Sequence, residues 1–140
     1  METSDSRILE DTRIGVRLKI SALWIAMLLL FAYGDIFGFF APGHLEEIIE
    51  GEISGIEITE TFLLAVSAYI AIACVMIFLT LVLRPTINRW ANIVLPILYI
   101  VSIAASVIGE GAYFYVLSAV EIALLVAIVW YSWTWPRASA

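Results

Sequence analysis

The sequence predicts an all-α membrane protein: an antiparallel bundle of four transmembrane helices with a short interfacial helix at its outer end. Three observations carry this. Of the 140 residues, 63% are hydrophobic and 14% charged, with a mean hydropathy of +1.02, well beyond the ~50% apolar share of a soluble domain. Four apolar runs are each long enough to cross a bilayer, which takes ~20 residues as a helix. The basic residues Arg7, Arg13, Arg17, Lys19, Arg84, Arg89 and Arg137 all fall on one side of those runs, and the positive-inside rule then places both termini in the cytoplasm.

Residues 1–14 read as a polar cytoplasmic tail, 15–136 as a single four-span membrane domain, and 137–140 as a second cytoplasmic tail. Met1 to Asp11 is polar and acidic, unlike the basic start of a cleaved signal, so the first apolar run is expected to be retained. That run, about Val16 to Phe40, is entered through Arg13, Arg17 and Lys19, whose long stems reach the headgroups. Pro42-Gly43 ends it. Leu45, Ile48 and Ile49 then share one face while Glu46, Glu47 and Glu50 occupy the other, the pattern of a helix lying in the interface. Gly51, Ser54 and Gly55 break that helix. Thr59 is the expected N-cap of the second span, with Glu60 in its first turn, where the helix dipole favours a carboxylate.

The second span reaches Leu83, and Arg84 to Trp90 reads as a tight basic turn that makes the second and third spans adjacent. The third span, about Trp90 to Ile108, holds Pro96, which removes a backbone hydrogen bond and is expected to kink it. Gly109-Glu110-Gly111 turns the chain into the fourth span, closed by Pro136. Trp90, Trp130, Trp133 and Trp135 gather at the basic end as an aromatic belt. Gly34 and Gly38, and Ala119, Ala123 and Ala127, form ridges of small residues suited to helix packing. They outnumber what one bundle uses and predict a homodimer or higher oligomer, with room for a protein partner in the membrane.

A net charge of −6 and a pI of about 4.6 exclude nucleic acid as a partner, because phosphate binding requires a basic surface. Cys74 is the only cysteine, so it forms no intrachain disulfide or thiolate cluster and reads as a small packing residue. A lone His44 among glutamates lacks a metal-ligand set, and no cofactor motif is present.

The residues that stand out are acids within apolar runs. An ionisable group in hydrocarbon costs at least ~2.5 kcal/mol, so Asp35 and Glu121 are expected to face protein or water and to bind a proton or cation. Asp35 lies one to two turns from the outer end and Glu121 near the midplane, with no basic residue at either depth. Tyr69, Tyr99, Ser102 and Ser118 are expected to support the buried carboxyl by hydrogen bonds, with Asn92 as a further buried polar group. These residues point to a small proton- or cation-linked transporter or channel-like protein. The alternative is a non-catalytic scaffold or accessory subunit in which the acids lock helices together, and a third reading is a lipid- or quinone-modifying enzyme using Glu121 as general acid with Tyr69 or Tyr99.

The stretch Asp35 to Glu46, then Ile58-Thr59, Asn88 to Ile93, Tyr113-Phe114-Tyr115, Glu121 and Trp130 to Trp133, resembles a prokaryotic four-span membrane family known as a domain of unknown function. The resemblance covers Leu18 to Pro136. It implies a four-helix fold in a prokaryotic plasma membrane and carries no activity. The span layout and the glycine-rich end of the first span are also similar to DoxX-like membrane proteins.

Overall fold

A computed structural model describes residues 12–136. Most of the expected N-terminal tail, the tail at 137–140, and Arg7 and Arg137 lie outside the described residues. In chain order the elements are α1 (Val16–Gly38), α2 (His44–Glu50), β1 (Glu52–Ile53), β2 (Ile56–Glu57), α3 (Glu60–Val82), α4 (Pro85–Ser106) and α5 (Ala112–Trp133). The four long helices have 22 or 23 residues each and are apolar enough to cross a membrane. At 1.5 Å per residue each is roughly 34 Å long, enough for the ~30 Å hydrocarbon layer.

Local chemistry accounts for the helix ends. The Thr59 hydroxyl accepts a hydrogen bond of 3.1 Å from the Phe62 amide and caps α3, as expected. The basic segment after Leu83 differs from the expected turn. Proline at the first helical position costs no hydrogen bond, and its fixed φ suits a helix start, so α4 begins at Pro85 and takes in Arg89 and Trp90. The link from α3 to α4 is therefore only Leu83-Arg84. Helix α4 runs unbroken through Pro96, which is buried.

The stretch after α2 is more than a breaker. Glu52 pairs with Glu57 and Ile53 with Ile56 in a two-residue hairpin. Ser54 and Gly55 both have positive φ, 48° and 75°, the backbone of the turn whose twist matches such hairpins. The Ser54 hydroxyl donates 3.2 Å to Glu110, tying the hairpin to the turn between α4 and α5.

In the bundle α1 lies between α3 and α5, and α5 packs against α4. Helices α3 and α4 are neighbours, as their short link requires, but of the four adjacent helix pairs their backbones approach least closely. The rings of Tyr69 from α3 and Tyr99 from α4 lie across that gap. Ile20, Trp24, Met27, Leu125 and Ile128 form a core with no exposed surface. Large apolar residues such as Leu98, Val101, Val116 and Trp130 face outward, the distribution of a molecule whose solvent is lipid. Cys74 is also on the outer face, not packed in the core.

The basic end is held by polar contacts that the sequence pattern did not reveal. Trp24 Nε1 donates 2.7 Å to Asn92 Oδ1, and Thr80 Oγ1 donates to the same oxygen at 3.3 Å. Asn92 Nδ2 donates to Asn88 Oδ1 at 2.7 Å, and Asn88 Nδ2 donates to the Thr80 carbonyl at 2.6 Å. This network joins α1, α3 and α4. Ser21 adds a bond of 2.9 Å to the Ile77 carbonyl. Arg17 donates 2.7 Å to the Leu81 carbonyl, and Arg89 donates to the Ser132 and Trp133 carbonyls at 3.1 and 3.2 Å. A cation there satisfies carbonyls that have no partner inside α5 and complements its dipole. Arg17 also lies over the Trp135 ring, Lys19 over Tyr131 and Arg89 over Trp133, so the aromatic belt and the basic residues form one layer.

Asn92→Ala is expected to orphan the Trp24 N–H and Asn88 Oδ1; at ~1–3 kcal/mol for an unsatisfied buried group, the loss should be about 2 kcal/mol or more. Chemical unfolding in detergent measures it. Val101→Ala on the lipid face is the control and should cost under about 1 kcal/mol.

Candidate functional site

Each of the four long helices contributes one face to a cavity of about 340 Å³. Phe31, Gly34 and Asp35 come from α1, Val66, Tyr69 and Ile70 from α3, Ser102, Ile103 and Ser106 from α4, and Phe114, Leu117 and Glu121 from α5. Their spacings of three, four and seven residues put each set on one side of its helix. The cavity occupies the half of the bundle nearer α2 and the hairpin, away from the arginines. Among the described residues no Lys, Arg or His lines it.

The two acids meet there but differ in burial. Glu121 is 5% exposed, whereas Asp35 is exposed. Asp35 therefore reaches the rim and Glu121 the interior. The carboxyl of Glu121 has no hydrogen-bonding partner among the described residues, and it lines the cavity.

Three of the hydroxyls expected to support Glu121, those of Tyr69, Tyr99 and Ser102, are occupied elsewhere. Tyr69 donates 2.6 Å to Ser102 Oγ, because the Ser102 hydrogen is directed at the Tyr99 carbonyl 2.9 Å away. Tyr99 in turn donates to the Tyr69 carbonyl. The two rings lie 4.3 Å apart between centroids. Each tyrosine thus clamps the other's helix across the wide α3/α4 seam. Tyr99 is buried behind Tyr69 and does not line the cavity. Ser118 is buried one turn before Glu121, also outside the lining. Asn92 belongs to the cluster at the basic end instead.

The small residues pack loosely within the chain. A Cβ on Gly34 would meet Leu117 at an ordinary 3.7 Å, and one on Gly38 would meet nothing within 4 Å. Ala119 and Ala123 lie on the exposed face of α5, with Ala127 half-buried.

Sequence reasoning missed Phe31, Ser106, Phe114 and Leu117 as lining. Helical spacing from Asp35, Ser102 and Glu121 points to them, but such spacing alone does not separate cavity wall from packed core. A second hollow of about 670 Å³ at the end of the bundle that carries α2 is lined by Phe37, Phe40, His44, Glu110 and Tyr113 among others.

A double-mutant cycle of Tyr69→Phe and Ser102→Ala is expected to show coupling of about 1 kcal/mol, because each variant removes the same hydrogen bond. The fold should survive in both, since Tyr99 still reaches the Tyr69 carbonyl. Equilibrium unfolding of the two single variants and the double variant measures this.

No curated protein and no solved structure matches the chain, and the likeness to DoxX-like proteins is not shown by any comparison. One family model does match, over residues 8–140. That range contains all four spanning helices, the cavity with Asp35 and Glu121, and the asparagine cluster beneath it, so the chain belongs to this family of unknown function (DUF6326).

Proposed function

We propose that this integral membrane protein is a small transport protein in which Glu121, assisted by Asp35, takes up and releases a proton or cation as a small solute moves through the cavity. The state of Glu121 carries this reading. A carboxyl serving as interhelical glue would be hydrogen-bonded to another helix. Glu121 is buried and lines a cavity without a partner, while nearby hydroxyls are committed to each other and to backbone. A buried ionisable group left in that state is costly, and function is the usual reason for keeping one.

The scaffold reading has its own support in the asparagine cluster, since a fully satisfied buried network rigidifies a bundle. That cluster lies apart from the cavity, so it accounts for the helix lock without Glu121. Tyr69, Tyr99 and Ser102 hold the α3/α4 seam around the cavity, and Ser118 supports the Glu121 face of α5. The same reading sets the basic layer in the cytoplasm and opens the cavity outward. The chain then self-associates along the outward Ala119 and Ala123.

Proton flux into liposomes under an imposed potential, followed with an internal pH dye, tests the role of Glu121. Glu121→Gln is expected to stay within about 1 kcal/mol of wild-type stability and to abolish the flux. Loss of the folded bundle in that variant, with no flux through wild type, would establish the scaffold instead. Orientation is tested by single cysteines in a Cys74→Ala background. Ser54→Cys should react with an impermeant reagent outside cells, and Thr86→Cys only after permeabilisation; labelling of both from outside would overturn the orientation.

A further inference from the structure

We infer that the cavity takes an amphipathic organic monocation, an aromatic or alkyl ammonium compound, in exchange for the proton on Glu121. The inference rests on the reading of Glu121 as a proton or cation site and names the solute.

Charge supplies the first argument. Among the described residues, two carboxyls and no basic side chain line the cavity. It lies toward the end of the bundle that carries the glutamates of α2 and the hairpin, with Glu60 and Glu110, whereas the described arginines and Lys19 are at the other end. A surface of one sign concentrates counter-ions at a nearby opening, so cations are enriched at the rim marked by Asp35 and anions are depleted.

Size and lining supply the second. At about 340 Å³ the cavity is within the ~300–1,000 Å³ range of organic-ligand pockets. A hard metal ion requires six or more oxygen ligands close together, and the described residues contain no group of three or more His, Cys, Asp or Glu side chains able to hold one. Most of the wall is apolar, with Phe31, Ile103, Phe114 and Leu117 facing the same space as Glu121. A hydrated inorganic ion gains nothing from such walls. A neutral apolar molecule would fill them but leave the buried carboxyl unpaired, which costs free energy. A cation with an apolar body meets both demands, and the rings of Phe31, Tyr69 and Phe114 add cation–π attraction.

The exchange balances in atoms and charge. The exchange starts from Glu121 as the neutral carboxylic acid. Its O–H bond breaks as the ammonium group arrives, the proton leaves to water past Asp35, and the carboxylate pairs with the cation. No electron is transferred. The charge on the cavity is the same before and after, so the interior never holds an isolated ion. The groups facing Glu121 are Asp35 from α1, Tyr69 from α3, and Ser102 and Ser106 from α4, none of them a competing cation.

Calorimetric titration of the full-length protein in phosphatidylcholine nanodiscs with benzyltrimethylammonium tests the inference. Two buffers of different ionisation enthalpy report the protons released. Saturable binding with about one proton released per cation is expected, weakened about tenfold or more and stripped of proton release in Glu121→Gln, as for loss of a charge-assisted contact. Asp35→Asn and Phe114→Leu should each weaken it about threefold, and benzylsulfonate, of opposite charge, should not bind. Thermal unfolding establishes that the variants are folded, and Phe114→Leu serves if Glu121→Gln is not. Equal heats in Glu121→Gln or in empty nanodiscs would reduce the signal to partition into lipid and overturn the inference. Proton release on adding sodium but not benzyltrimethylammonium would overturn the organic cation while leaving the proton or cation site standing. Glu121-dependent proton flux without any organic cation binding would do the same. Absence of both flux and binding would end both readings.

Discussion

A bilayer core offers no water, so every polar group placed there must find its partner inside the protein, and the arrangement of this bundle follows from that demand. Tyr69, Tyr99 and Ser102 close on one another and on backbone carbonyls across the widest helix seam. Asn88, Asn92, Trp24 and Thr80 do the same nearer the basic end. Between apolar helices without a hydrophobic driving force, such contacts and close packing hold the helices together. One buried hydroxyl, Ser132 Oγ, is left without a partner; Glu121 differs in being an ionisable group, 5% exposed, that lines the cavity with no basic residue among the described lining.

The bundle is also electrically polarised. Arg17 and Arg89 neutralise carbonyls at the C-terminal ends of α3 and α5 and, with Lys19, lie over aromatic rings at the same level. At the opposite end, α2 and the hairpin carry the glutamates. Separation of the two signs by the thickness of the membrane leaves the cations to backbone and aromatic partners. The cavity is on the acidic side of this division, and the asparagine cluster nearer the basic side. The two halves therefore differ in character: one is joined by the asparagine network, the other is hollow and lined by two acids.

Much of the fold was legible in the chain because the bilayer imposes simple requirements on sequence. Runs of about 20 apolar residues, the Thr59 cap, the glycine and proline stops and the alternation of α2 each reflect a local rule, and each has its counterpart in the structure. The start of α4 at Pro85 and the Ser54-Gly55 hairpin were equally local but depended on turn chemistry that composition alone does not rank. Asp35 and Glu121 stood out because acids are costly in hydrocarbon, and they do line one cavity.

What the sequence determined by itself is the membrane class, the number of spans, the segregation of charge and the depth of the acids, since these depend on residue type and distance along a helix. Tertiary structure decided which faces meet. Tyr69 and Tyr99 share a depth with Glu121, yet helix rotation turns their hydroxyls to Ser102 and to backbone, and sends Asn92 to Trp24 and Asn88. Helices α1, α3 and α5 are apolar nearly all round, and α4 buries its polar face, Asn88, Asn92 and Tyr99, while its exposed face is apolar, so a rule that turns apolar faces inward does not set the rotation. Side-chain packing and hydrogen-bond satisfaction between helices set it, and they exist only once the four helices are assembled.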